Sequence, residues 1–101
     1  MDLFVIGDTD TVLGFAYAGV DGETVESADE AARVFGQVID EGRVKILIIT
    51  ERAAGLIRDD VDHVRFEAQS PVIVEIPGPE GPDPDRRSLL ELIREAVGIR
   101  V

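Results

Sequence analysis

Cysteine and tryptophan are absent from these 101 residues, and methionine and histidine occur once each. Without cysteine there is no disulfide framework and no thiolate metal site, a usage that fits a cytoplasmic protein. One histidine, His63, excludes a His-rich metal centre. Lysine is nearly missing too: nine of the ten bases are arginine, and only Lys45 is left. No apolar run approaches the roughly 18–20 residues that a membrane-spanning helix requires, so direct membrane insertion is not expected. The opening Met1-Asp2-Leu3-Phe4 carries neither a basic region nor a signal-like stretch. Positive charge is the largest deficit. Twenty-one acids against ten bases leave −11, a surface that repels phosphate backbones and anionic lipid and argues against nucleic-acid binding. The acidity reads equally as general solubilisation or as adaptation to high salt.

What is present supports one domain with a modest core. Val44-Lys45-Ile46-Leu47-Ile48-Ile49-Thr50 is short and β-branched, and from Ile46 to Ile49 it has no polar break. Such a strand has neither face meant for water, as in a parallel sheet sandwiched between helices. Leu3 to Ile6, closed by Gly7, predicts a first strand, and Val72 to Ile76, between Pro71 and Pro77, another. Thr24-Val25-Glu26 reads as a short edge strand with charged flanks. Asp8 to Thr11 supply N-caps for a helix over Val12–Ala18 that is apolar all round and therefore expected to be largely covered. Gly14 and Ala18 give that helix a slim side for approach to the sheet, and Gly19 marks its end.

Ser27-Ala28-Asp29-Glu30 is a capping box, opening an amphipathic helix that Gly42 closes. Ala28, Ala31, Ala32, Val34, Phe35, Val38 and Ile39 lie on its apolar side. Glu51 to Arg58 predicts a helix loosened by Gly55, and Asp59 to Phe66 either continues it or turns separately. Strands alternating with helices, without hairpin signals, define an α/β fold with right-handed crossovers and a parallel sheet. The expected divisions are an α/β domain over 1–77, a Pro/Gly hinge over 78–83, and a C-terminal helix and tail over 84–101. Leu89, Leu90, Leu92, Ile93, Ala96 and Val97 sweep an arc of about 180°, wider than the ~100° stripe a helix needs to lie on its own core. That helix either nests in a deep groove of its own domain or offers part of its face to another protein.

Ligand sites in such sheets lie at the carboxyl ends of the strands, here Gly7-Asp8-Thr9-Asp10, Thr50-Glu51 and Pro77-Gly78. Asp8 and Asp10 resemble the metal-binding pair of response-regulator receiver domains. The acceptor aspartate is replaced by Thr50-Glu51, however, and no lysine follows residue 45. The two acids are better read as helix-start residues favoured by the dipole. Thr9 and Thr11 sit where a flavodoxin-like loop would cradle phosphate, against the repulsion of flanking carboxylates and with few aromatics to sandwich a flavin. Asp8, Asp10 or Glu51 in a small acid–base enzyme is a third reading. His63, in an acidic helical region, reads as a surface residue. No nucleophile elbow, dinucleotide fingerprint or Walker loop is present, and no cofactor is implied. The residues favour a binding or coupling module over an enzyme.

The order and spacing of several motifs resemble a known family. Val5-Ile6-Gly7-Asp8 followed by Gly14-Phe15-Ala16-Tyr17-Ala18-Gly19-Val20, then Ile46 to Glu51, then Ser70 to Pro77, and the ending Val97-Gly98-Ile99-Arg100-Val101 are similar to the F subunit of archaeal and bacterial A-/V-type rotary ATP synthases. One departure stands out: the family commonly has an arginine and a leucine where this chain has Ala16 and Tyr17.

The resemblance implies a small domain with a four-stranded parallel sheet, flavodoxin- or receiver-like in layering, followed by a mobile C-terminal helix. It further implies a non-catalytic rotor component that docks on the D subunit, the shaft of the central stalk, inside the ring of catalytic A and B subunits. Its place would be the cytoplasmic side of the cell membrane, with ion transport coupled to ATP turnover. The expected contact residues are Leu90, Ile93, Arg94 and Val97, with the hinge Pro77 to Pro82 setting their reach. A homodimer through the terminal helix is expected only as a crystal substitute for the shaft.

Overall fold

A computed structural model describes residues 2–79. The chain runs β1 (Leu3–Gly7), α1 (Thr9–Tyr17), β2 (Asp21–Thr24), α2 (Ala28–Glu41), β3 (Ile46–Thr50), α3 (Glu51–Leu56), α4 (Arg58–Glu67) and β4 (Val72–Ile76). All pairings are parallel, in the order β2-β1-β3-β4, which makes this an α/β fold with helices on both faces of one sheet. The register sets Ile6 beside Ile49, Leu47 beside Ile73, and Gly7 beside Thr24.

Handedness distributes the helices. From β1 the chain steps outward to β2, then reverses past β1 to β3 and on to β4. Right-handed crossovers therefore place α1 on one face and α2, α3 and α4 on the other. The three-helix face holds the core: Ile6, Leu47, Ile49 and Ile73 meet Ala31, Val34, Phe35 and Val38 of α2, Ala53 and Ala54 of α3, and Val61 of α4. Alternation sends Val5, Ile48, Val72, Val74 and Ile76 to the α1 face, where α1 packs mainly on β1 and β2.

Local signals place most boundaries. Ser27 Oγ accepts the Glu30 N–H at 3.2 Å and Gly42 ends α2 in the left-handed region, φ 66°. The segment after β3 divides at Ile57 into two helices, which settles the alternative left open by the sequence. Three expectations are corrected. The edge strand is Asp21–Thr24, earlier than Thr24-Val25-Glu26, because pairing with β1 overrides local preference. Gly22 permits it: a Cβ there would collide with the Val5 side chain and carbonyl. Helix α1 is not covered: it has no buried residue, and Leu13 and Tyr17 are 51% and 85% exposed. Nor is β3 shielded on both faces, since Ile46 is 37% exposed.

One polar cluster clamps the edge strand. Arg58 donates two bonds of 2.7 Å to the Glu75 carboxylate, whose side chain is 6% exposed, and Arg65 approaches the same carboxylate at 3.0 Å. The bonds to Glu75 raise the Arg58 pKa above its ordinary value, against the effect of burial. Both arginines belong to α4, so the cluster ties α4 to β4. Glu75→Gln should lower stability by about 2 kcal/mol, the cost of weakening charge-assisted bonds to a covered carboxylate. Urea unfolding with Arg58→Met and the double variant checks it: the two losses should be strongly non-additive.

Candidate functional site: the carboxyl edge and the groove beside α1

Strand order reverses between β1 and β3, so the crevice that α/β folds use for ligands opens between Gly7-Asp8 and Thr50-Glu51. Two of its polar side chains are occupied by helix capping. Asp8 caps α1: Oδ2 accepts the Thr11 N–H at 3.0 Å and Oδ1 accepts the Thr11 hydroxyl at 2.7 Å. Burial opposes ionisation of Asp8, but the Thr11 hydroxyl and N–H bonds outweigh it and hold the carboxyl below the ordinary 3.8. Thr50, 3% exposed, caps α3 by accepting the Ala53 N–H at 3.2 Å. The position where a receiver domain keeps its acceptor carboxylate is thus a buried capping hydroxyl. Among the described residues, no group of three or more His, Asp or Glu side chains could hold a metal ion. His63 lies far along α4, its side chain 68% exposed and 3.3 Å from Glu67.

An apolar groove adjoins this edge. About 560 Å³ of open space lies between one side of α1 (Gly14, Phe15, Ala18) and the end of β4 with its exit (Ile76, Pro77, Pro79). Asp10 and Thr11 supply its polar rim. Gly14 and Ala18 therefore form a slim side, in line with the sequence, but that side faces a groove instead of packed sheet: among the described residues, nothing outside the helix's own backbone and the glycine's chain neighbours lies within 4 Å of where a Gly14 Cβ would stand. On the same face of the sheet, Ile46, Val72 and Val74 are 37%, 56% and 40% exposed.

Of the expected contact residues, the described part contains Pro77, which lies on the groove wall. Leu90, Ile93, Arg94, Val97 and Pro82 lie outside the described residues, as do most of the hinge and all of the expected terminal helix. The open apolar face of β3 and β4 is a finding of the structure that sequence reasoning missed. Its signal is present in the chain: strands apolar on both sides, with too few helices before residue 77 to cover both faces of the sheet.

The structure thus defines a small parallel α/β domain in which Asp8 and Thr50 cap helices at the strand ends and an apolar groove lies beside α1. Residues 3–93 match the family model described as ATP synthase (F/14-kDa) subunit, and the chain belongs to that family. It is 33% identical to the A-type ATP synthase F subunit of Methanothermobacter thermautotrophicus, across 99% of this chain and 95% of the relative. The F subunit of Methanocaldococcus jannaschii is 34% identical, covering 98% and 97%. That of Pyrococcus furiosus is 33% identical, covering 100% and 98%. An A-type ATP synthase is a membrane-associated rotary complex, and among the described residues no helix is long and apolar enough to cross a membrane.

The caps and glycines of this edge set measurable expectations. Asp8→Ala should cost about 1 kcal/mol at neutral pH, the worth of an N-cap. Because the folded pKa is depressed, that contribution is complete above 3.8 and fades as pH falls through the folded value. Denaturation of variant and parent should therefore converge in acid. Gly14→Ala should stabilise α1 by about 0.5–1 kcal/mol, since it gains helix propensity without a clash. Gly7→Ala should do the reverse, because its Cβ would stand 2.6 Å from Thr50 Cγ2. Thermal melts of the pair test the contrast.

Proposed function

We propose that this chain is a non-catalytic central-stalk component of an A-type ATP synthase, held on the D subunit that forms the long shaft. There it helps couple proton or sodium transport to ATP synthesis or hydrolysis. The observation that carries this reading is the match to the F-subunit family over nearly the whole chain. The commitment of Asp8 and Thr50 to caps supports a docking role over chemistry at the strand ends. The contact surface is assigned to Leu90, Ile93, Arg94 and Val97, carried by the segment after the Pro77 to Pro82 hinge. From there the terminal helix reaches the catalytic A/B head and regulates ATP hydrolysis. The protein sits peripherally on the cytoplasmic side of the membrane, recruited through its partners.

Co-expression with the cognate D subunit tests this directly. A stable complex at micromolar concentration is expected, and Leu90→Ser/Ile93→Ser/Val97→Ser should weaken it by on the order of tenfold or more. Failure of the parent chain to bind, or full affinity in the triple variant, overturns the assignment.

A further inference from the structure

Helix α1 is apolar on the side that packing does not use. At about 100° per residue, Val12 and Phe15 turn toward the sheet, and both are half-buried. Asp10, Leu13 and Tyr17 share an arc of about 60° on the opposite side, away from the slim Gly14–Ala18 flank. They form a stripe two turns or about 10 Å long, with Leu13 and Tyr17 one turn apart and 51% and 85% exposed. Polar residues there would cost the fold nothing, as the outward Arg33, Gln37, Asp40 and Glu41 of α2 illustrate. Charge around the stripe has one sign. Residues 2–32, spanning β1, α1, β2 and the start of α2, hold eight acids and no base, and all ten bases come at Arg33 or later. Asp21 and Glu23 of β2, the strand against which α1 packs, are exposed, as are Glu26 and Asp29.

We infer that the outer side of α1 is a docking surface for a cationic amphipathic helix of another protein. Leu13 and the Tyr17 ring supply the apolar contact area, and an exposed aromatic face also receives a guanidinium or ammonium group. Asp10, two turns from Tyr17 on the same stripe, holds a second cation. The matching partner therefore carries cations about two turns apart with apolar residues between them, which is helix recognition read from a short stripe of anchors. Charge selects among the occupants. An anionic helix is repelled by the acids around the stripe, and a second copy would bring another −11. The surface goes beyond the rotor role, does not depend on it, and uses no residue assigned to the D-subunit contact.

The probe is a synthetic helix of about 18 residues with leucine on one side and arginine on the other, titrated into the isotope-labelled full-length chain. Shifts should centre on Asp10, Leu13 and Tyr17, and the same peptide with glutamate for arginine should leave them unmoved. Leu13→Ser/Tyr17→Ser should weaken binding at least about tenfold, whereas Tyr17→Phe, which keeps the ring, should stay within about twofold of the parent. Both positions are exposed, so thermal melts of the variants should match the parent. Shifts spread evenly over the acidic surface, or full affinity in the double serine variant, overturn the inference. So does a Tyr17 ring shielded from a soluble nitroxide in the free chain, whether by its own terminal segment or by a second copy. A chain that binds the D subunit yet ignores the peptide removes this surface alone. One that binds the peptide through α1 yet ignores the D subunit removes the rotor reading alone.

Discussion

Right-handed crossover is the constraint from which the rest of this structure follows. The single reversal of direction, from β2 back past β1 to β3, commits α1 to one face and every later helix before β4 to the other. A four-stranded sheet is too wide for α1 alone, so among the described residues no second helix lies over β3 and β4 on that side. The same reversal creates the crevice between Asp8 and Thr50. One topological event thus generates both the polar edge and the apolar surface.

These two features have different fates. At the polar edge, the groups that a related fold would spend on a ligand close the first turns of α1 and α3 instead. Asp8 satisfies the Thr11 N–H and hydroxyl, and Thr50 satisfies the Ala53 N–H, so recruiting either for chemistry would uncap a helix. The apolar surface has no such internal use among the described residues. Covered by nothing, a patch of this kind is a liability, and proteins retain one where another segment or molecule covers it.

Legibility in the sequence follows how local each determinant is. The α2 boundaries are set by contacts within one turn, Ser27 to Glu30 at the start and Gly42 at the end, and sequence and structure agree on them. Strand β2 begins earlier than its composition suggests, because Asp21-Gly22-Glu23 makes a poor strand in isolation. The case for it is steric and distant, in the space Gly22 leaves for Val5. Helix α1 departs from expectation for a related reason. An apolar circumference suggests burial, yet burial depends on how many neighbours topology supplies, and among the described residues α1 has β1 and β2 as its main neighbours. The family is legible because it rests on motif order along the chain, which needs no three-dimensional information.

The Arg58–Glu75–Arg65 cluster gives the open surface its rigidity. β4 is an edge strand with one neighbour, and its outward residues Val72 and Val74 contribute little burial. On the opposite face, Ile73 supplies core contact and Glu75 supplies a charged anchor to two points of α4. A strand held from behind in this way keeps its exposed face in register without needing a cover. A surface already fixed in this way lowers the ordering cost of any encounter with it. The buried carboxylate on the core side and the bare valines on the other are therefore two halves of one arrangement: the first fixes the strand, and the second is what the fixed strand presents.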